Sequence, residues 1–403
     1  MAMIRIEEST TTTHHLALFA YGFRPFFLAA GIQALVGVAV MALAVVAGGW
    51  PEGSLTASAW HFHEMTFGFV VAAIAGFLLT AVPNWTGERG HAGRPLAALA
   101  GLWLAGRIVL APGLGIAPMV AATIDLAFLP ALAAVIGRSL IRGRQPRNYP
   151  VLGVLVVLSL ANVAFHAEAL GLWPDGTAFA KRLSVDTILI LVALIGGRIV
   201  PAFTINGLRR HGQQLSLKPF PGIEIASPAT LVALLIADLA LPESAVAGWA
   251  AGAAAIVQAL RLSRWHGHRS LKDPLIWVLH LGYAWLVLGL ALKASWLVLD
   301  ASIGRHWLHA LTAGAFATMI LAVMTRATLG HTGRHLIAPP LAVLAYVLTS
   351  VAAAIRVFGP AAAGGDVATI AALAGATWSG AMLGYLVAYA PMLVRRRADG
   401  KPG

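Results

Sequence analysis

The sequence predicts an all-α, polytopic integral membrane protein with about twelve transmembrane helices and both termini in the cytoplasm. Hydrophobic residues make up 59% of the 403-residue chain and charged residues 11%, whereas soluble domains carry about 25% charged residues. Apolar runs of about 20 residues, each long enough to cross a bilayer, follow one another along almost the whole length. The chain 1–403 is therefore predicted to be a single transmembrane domain, with a short polar segment at 1–20 and a basic tail at 394–403.

Twelve apolar runs define the predicted spans. They cover 26–47, 62–82, 95–111, 118–137, 150–172, 183–203, 228–241, 245–260, 274–292, 307–325, 338–355 and 367–391. The pair 228–241 and 245–260 is the weakest, because both runs are short and only the turn LPES separates them. This pair predicts either two spans or a tight hairpin. Without it the count falls to ten, and both termini remain on the same side.

Lysines and arginines are distributed unequally between the two sides of these spans. Arg107 lies inside the third span. The side opposite the N-terminus receives only Lys181, Arg182, Lys293, Arg305 and Arg356, and all other Lys and Arg residues fall on the side of the N-terminus. Because loops rich in Lys and Arg stay in the cytoplasm, this asymmetry predicts cytoplasmic termini.

Composition also limits the function classes. The net charge of +12 does not indicate nucleic acid as a partner, because the basic residues occupy short loops between apolar runs that face the lipid bilayer. The chain has no Cys, which excludes disulfides, thiolate-ligated haem and cysteine-ligated iron–sulfur clusters. Walker A, GxSxG, HExxH and CxxCH motifs are absent, so ATP-driven transport, hydrolase, zincin and c-type haem interpretations have no support.

The sharpest local feature is the run WHFHEM at 60–65, which opens the second span. Neutral imidazole is a common ligand for haem iron, copper and zinc. Residues two apart on a helix point about 200° apart, so His61 and His63 do not share one metal unless the helix begins between them. We predict His63 as a ligand and His61 as its neighbour. The alternative is a solvated helix start.

Further histidines approach the same leaflet. His166 lies late in the fifth span, one turn after Asn162, and His306 and His309 open the tenth span on one helical face. The topology thus brings His63, His166 and His309 together from three helices, as expected of a metal or haem site. The alternative is that interfacial histidines simply contact water.

Two more histidines lie elsewhere. His280 is in the middle of its span, where it predicts either a second buried site or a hydrogen bond to Tyr283. His331 ends the tenth span on the cytoplasmic side, as a second-site ligand, a member of a proton path or a surface residue.

Charged residues also interrupt apolar segments. Arg107, Arg198 and Arg326 each do so, and Asp125 and Asp186 each lie within one. Arg–carboxylate pairing makes such residues tolerable in a membrane. Arginine also suits the carboxylates of haem, because its planar fork matches them. Structural ion pairs between spans are the alternative.

Several sequence blocks, spread from residue 22 to 334, resemble the NnrS family when taken together. The blocks are FRPFF at 23–27, WHFHEM at 60–65, GFLLTAVPNWTG at 76–87, RNY at 147–149, RIVPAFT at 198–204, HLGY at 280–283 and TRATLGHTGR at 325–334. The resemblance implies a bacterial inner-membrane protein of about twelve spans that contains haem and copper. It also implies a role in nitric oxide metabolism, denitrification and protection against nitrosative stress.

The resemblance assigns no ligands, so the site is predicted from topology and side-chain chemistry. We predict a b-type haem, with copper as a further metal and nitric oxide as the ligand. The predicted cofactor-binding residues are His63, His166, His309, Arg198 and Arg326. The candidate metal ligands are His61, His63, His166, His280, His306, His309 and His331.

Three interpretations stay open at this point. A redox-metal protein would turn over nitric oxide, sequester it or control metal status; the electron donor is unknown, because the sequence contains no electron-donor domain. A transporter of a metal, a haem or a small solute would instead have a midplane cavity and broken helices. A structural subunit of a respiratory complex would be colourless and unstable alone.

Overall fold

A computed structural model of the protein describes residues 17–52, 55–88, 90–217, 220–362 and 366–401. Across these ranges the chain forms twelve long helices, a few short 3₁₀ turns and no β-strand. The helices are α1 (Phe23–Ala47), α2 (Ala57–Thr86), α3 (Arg94–Val109), α4 (Pro118–Arg142), α5 (Pro150–Ala169), α6 (Gly176–Arg210), α7 (Pro221–Ala240), α8 (Ala245–Ser263), α9 (Pro274–Leu299), α10 (Trp307–His331), α11 (Pro340–Ala362) and α12 (Val367–Val394). The predicted all-α, polytopic fold is confirmed.

Eleven of these helices are long and apolar enough to cross a membrane, whereas α3 has 16 residues. The weakest predicted pair forms two separate helices of 20 and 19 residues, α7 and α8. The predicted span 183–203 is part of a 35-residue helix, α6. It is longer because Lys181, Arg209 and Arg210 have a high helix propensity although they are charged. The helix therefore continues beyond its apolar part.

Two helices contain a π-helical segment, and each segment begins directly after a histidine. In α2 the segment Glu64–Val70 follows His63, and in α10 the segment Ala310–Phe316 follows His309. A π-helix uses i→i+5 hydrogen bonds, is rare, and occurs frequently at functional sites. The wider turn changes which faces of α2 and α10 meet their neighbours.

The first and last helices, α1 and α12, pack against each other. The Arg24 guanidinium, at the start of α1, donates hydrogen bonds to the carbonyl oxygens of Leu393 (2.9 Å) and Arg395 (2.7 Å) at the end of α12. The basic tail also packs on the bundle, since Arg397 Nη1 donates to the His331 carbonyl at 2.8 Å. Residues 1–16 of the predicted polar segment and residues 402–403 of the tail lie outside the described residues.

The chain order places many helix ends together. Because consecutive helices run in alternating directions, α2, α4, α6 and α10 begin at the same end of the bundle at which α3, α5, α7 and α9 finish. We call this the upper end. Of the apolar window of α2, 83% is buried, compared with 28% for α1. Most of α2 therefore lies inside the bundle, where it is surrounded by protein. The cytoplasmic location of the termini stays a prediction.

Candidate metal centre

His63 joins three helices at the upper end. It is the last residue of α2 before the π-helical segment, and its side chain is fully buried. Its Nε2 atom lies 3.1 Å from Asp125 Oδ2 on α4 and 3.0 Å from Asn162 Oδ1 on α5. Its Nδ1 atom lies 3.3 Å from Glu64 Oε1. Both ring nitrogens are thus fixed by polar neighbours.

Asp125 is the point at which the polar groups converge. His166 Nε2 lies 3.0 Å from the same Asp125 Oδ2 atom, and Asn162 Nδ2 donates to this oxygen at 2.8 Å. Asn162 and His166 are one turn apart on α5, so one helical face supplies both groups. The ligand atoms of His63, Asp125 and His166 all lie within 4.8 Å of one another. We call these three residues the His63 cluster.

Arg107 holds the carboxylates of this region. Its Nη1 lies 3.0 Å from Glu64 Oε1, and its Nη2 forms an ion pair with Asp125 Oδ1. The Glu64 Oε2 atom also accepts a hydrogen bond from Gln33 Nε2 at 2.6 Å. Arg107 therefore has the carboxylate partners that its position inside a span requires.

The π-helical segment is part of the same arrangement. Trp103, one turn before Arg107 on α3, donates from Nε1 to the Gly68 carbonyl oxygen of the segment at 3.2 Å, and the Arg107 guanidinium lies over its ring. Gly68 leaves room for Arg107, because a Cβ atom there would lie 3.0 Å from Arg107 Nη1. The irregular turn thus positions the arginine.

The carboxylates of the region outnumber its arginine. Glu64 and Asp125 bring two negative charges and Arg107 one positive charge, all of them buried. With neutral imidazoles the sum is −1, and a buried uncompensated charge is costly. Either a proton on His63, whose two ring nitrogens both face oxygen atoms, or a metal cation bound to the His63 cluster would supply the missing positive charge. Two imidazoles and one carboxylate are a donor set typical of first-row transition metals such as iron and copper.

The same geometry does not fit a haem. The Nε2 atoms of His63 and His166 are directed at a single oxygen, and the two rings are at 71° with centroids 5.5 Å apart. Phe165 and Phe67 pack against the His63 ring, with centroids at 4.5 and 5.0 Å. The His63 cluster therefore fits a single metal ion and not a porphyrin plane.

His309 lies outside this cluster and belongs to a second group of histidines at the upper end. His61, His306 and Arg356 all act on it electrostatically, and we call His61, His306 and His309 the His309 group. His306 precedes α10, and burial, followed by the charges of Arg356 and Arg305, lowers its pKa. Its imidazole is therefore neutral at pH 7 and available as a ligand.

The structure thus brings together two of the three histidines that topology predicted at one site. His61 and His63 point to different neighbours: His61 Nδ1 lies 3.4 Å from the Gly37 carbonyl oxygen on α1, whereas His63 contacts α4 and α5. This agrees with the expected angle between residues two apart. The identity of the metal ligands stays a prediction.

The remaining candidates lie toward the other end. His280 Nε2 lies 2.9 Å from Thr204 Oγ1, and its ring lines a cavity of about 530 Å³. His331 stacks on Tyr21 with ring centroids 5.8 Å apart. Neither belongs to the His63 cluster.

The two arginines predicted as haem partners are also distant from the upper end. Arg326 lies over the Phe203 ring at 4.0 Å, and Arg198 donates to Asn148 Oδ1 at 3.4 Å. Arg326 follows His309 by 17 residues, which corresponds to about 25 Å of helix. Arg326 and His309 are therefore too far apart to bind the same haem.

The chain matches a family of known proteins. A protein-family model described as NnrS protein matches residues 17–397. The match includes all twelve helices and therefore both groups of histidines. No curated protein sequence matches the chain.

Proposed function

The chain belongs to the NnrS family, and on this premise we propose that it is a metal-binding protein of nitric oxide metabolism. In this proposal His63, Asp125 and His166 hold an iron or copper ion that binds nitric oxide, in the bacterial inner membrane and with both termini in the cytoplasm. The observation that carries it is the convergence of two imidazoles on one buried carboxylate oxygen, that of Asp125. The cellular role is protection against nitrosative stress.

The side chains around the cluster would hold the ligands in position. Asn162 contacts both His63 and Asp125, and Arg107 fixes the other oxygen of Asp125. Groups of this kind set the orientation and basicity of metal ligands. Phe67 and Phe165 cover His63 and keep water away from it. An iron or copper ion held by these residues would supply the affinity for nitric oxide.

A b-type haem would need a different place in this protein. The His309 group offers imidazoles beside two cationic side chains, Arg356 and Lys181, both within electrostatic reach of His309. Cationic side chains are suitable partners for the carboxylates of a haem. We therefore assign the predicted haem b to the His309 group, separately from the single metal ion.

The experiment is a combination of metal analysis and visible absorption spectroscopy on the detergent-purified protein. Spectra are recorded oxidised, reduced with dithionite, and reduced with nitric oxide added, for the wild type and for His166→Ala, His309→Ala and His331→Ala. The expected result is a metal ion lost in His166→Ala, haem bands lost in His309→Ala, and neither lost in the control His331→Ala.

Two results would overturn the proposal. Folded wild-type protein without iron or copper would remove the metal centre and favour a transporter. Spectra of a metal-loaded protein that do not change with nitric oxide would remove nitric oxide as the ligand and leave a metal site of another function.

A further inference from the structure

A second cluster of charged residues lies buried at the upper end, on the other side of α6. It consists of Asp186 on α6, Asp238 on α7 and Lys293 on α9, each with 2% of its surface exposed. We call these residues the Asp186 cluster. Lys293 Nζ forms an ion pair with Asp238 Oδ2, and it also lies over the ring of Trp307 on α10, 4.3 Å from the centroid. Four helices thus meet at this cluster.

The two carboxyl groups of this cluster lie close together. The charge of Asp238 acts on Asp186 across the space between α6 and α7. An ionised carboxylate only accepts hydrogen bonds, and two like charges at this distance do not both persist without water. Since Lys293 pairs with Asp238, a proton on Asp186 would remove the repulsion between the two groups.

The arrangement of charges around Asp186 also favours its protonated form. The charged groups that act on its carboxyl group are Lys293, Asp238 and Arg182. Arg182 is one turn earlier on α6 but forms no ion pair with Asp186, and its Nε atom is buried without a partner. Lys293 pairs with Asp238, so an ionised Asp186 would have no cation in direct contact, which is costly inside a membrane.

The residues of the Asp186 cluster favour a proton over a metal ion as the source of positive charge. The cluster contains no imidazole, thioether or amide that would complete a metal site. The Asp186 Oδ2 atom is buried and has no hydrogen-bond partner, so a carboxyl oxygen is free to carry or exchange a proton. Lys293 keeps the neighbouring carboxylate ionised by direct pairing.

We propose that Asp186, Asp238 and Lys293 form a proton-binding site, which loads and releases one proton at the upper end of the bundle. The site lies on helices that do not supply the His63 cluster, and the proposal holds whether or not that cluster binds a metal. A purely structural ion pair is the alternative, and it would not exchange a proton while the protein remains folded.

Infrared difference spectroscopy of the full-length protein tests this site, because the carbonyl stretch of a protonated carboxyl group is separate from that of a carboxylate. Spectra are recorded across a pH series, in H₂O and in D₂O, for the wild type, Asp186→Asn, Asp238→Asn and the control Asp175→Asn. Asp175 is exposed immediately before α6. The expected result is a pH-dependent, deuterium-sensitive band in the wild type and in Asp175→Asn that is lost in both cluster variants.

The opposite results would overturn the proposal. A wild-type band that does not change with pH while the protein stays folded would identify a fixed structural proton. A band that persists unchanged in both Asp→Asn variants would assign it to another carboxyl group. If Asp186→Asn does not fold, Asp186→Glu keeps the carboxyl group, and a band at an unchanged frequency in that variant would likewise exclude Asp186.

Discussion

The His63 cluster and the Asp186 cluster lie at the same end of the bundle and have the same charge arithmetic. Around His63, two carboxylates, Glu64 and Asp125, share one arginine. In the Asp186 cluster, Lys293 pairs with Asp238, and Asp186 has no cation in direct contact. Each region therefore holds one carboxylate more than it has paired cations, if His63 and His166 are neutral, although both are buried in a membrane protein.

The difference between the two regions lies in the neutral groups around the carboxylates. Asp125 is met by two imidazole nitrogens and an amide, which are groups that orient and complete a metal site. Asp186 lies near another carboxyl group, that of Asp238. Its Oδ2 atom has no hydrogen-bond partner. The same deficit of charge is thus expected to be filled by a metal ion in one region and by a proton in the other.

Removing the cation of the first region is expected to have the largest effect. Arg107→Met leaves Glu64 and Asp125 buried without their partner, which should cost about 3–5 kcal/mol of unfolding free energy. Denaturation in detergent measures this loss. The matched control is Arg198→Met, since Arg198 is exposed and surface changes cost within about ±0.5 kcal/mol. Equal losses in the two variants would contradict the ion-pair assignment.

The second region offers the corresponding experiment with a rescue. Lys293→Met leaves Asp238 unpaired and should also cost about 3–5 kcal/mol, whereas replacing both partners of a buried pair with apolar residues is often neutral. The double variant Lys293→Met, Asp238→Leu should therefore recover most of the stability in the same denaturation assay. A double variant less stable than Lys293→Met would show that the pair is not the source of the loss.

A smaller effect separates metal binding from stability. Asn162→Leu removes the amide that contacts His63 and Asp125, and changes to groups that orient metal ligands typically lower affinity about 10–100-fold. Competition with a chelator measures the affinity for iron or copper. Ser159→Ala is the matched control, because its hydroxyl donates to the Leu155 carbonyl of the same helix at 2.8 Å. An unchanged affinity in Asn162→Leu would exclude this role.

The smallest change adds a single methyl group beside the cluster. A Cβ atom at Gly106 would lie 2.7 Å from Asp125 Oδ1, and Asp125 cannot yield easily because Arg107 holds that oxygen. We expect Gly106→Ala to cost about 1–3 kcal/mol by overpacking and to displace Asp125 from the metal. Gly101→Ala, on the same helix with no atom within 4 Å, should lose neither stability nor metal in the same assays.

Much of the fold follows from the sequence, because a membrane span requires a long apolar run. Eleven of the twelve predicted spans coincide with helices long and apolar enough to cross a membrane, including α7 and α8, whose short apolar runs left a hairpin open. The third predicted span corresponds to α3, which has only 16 residues. The length of α6 was less predictable, because polar residues extend this helix beyond its apolar part. Hydropathy does not register such extensions, because it measures apolar content rather than helix propensity.

The candidate site was only partly predictable. Topology placed His63 and His166 in one leaflet, and the charges of Arg107 and Asp125 suggested a pair between spans. The separation of His309 from His63 was not predictable from depth alone, because it depends on which helices α2 and α10 face. A π-helical segment follows each histidine and rotates the rest of its helix relative to its neighbours. We recognised no residue pattern in either segment that predicts a π-helix.

We infer that the His63 cluster takes a metal ion and the Asp186 cluster a proton. The iron and copper content of Asp125→Asn and Asp186→Asn, purified in detergent and reconstituted side by side with the wild type, tests this difference. We expect Asp125→Asn to lose the metal ion of the His63 cluster and Asp186→Asn to keep the wild-type amount. Loss in Asp186→Asn with retention in Asp125→Asn, or equal retention in both, would contradict this inference.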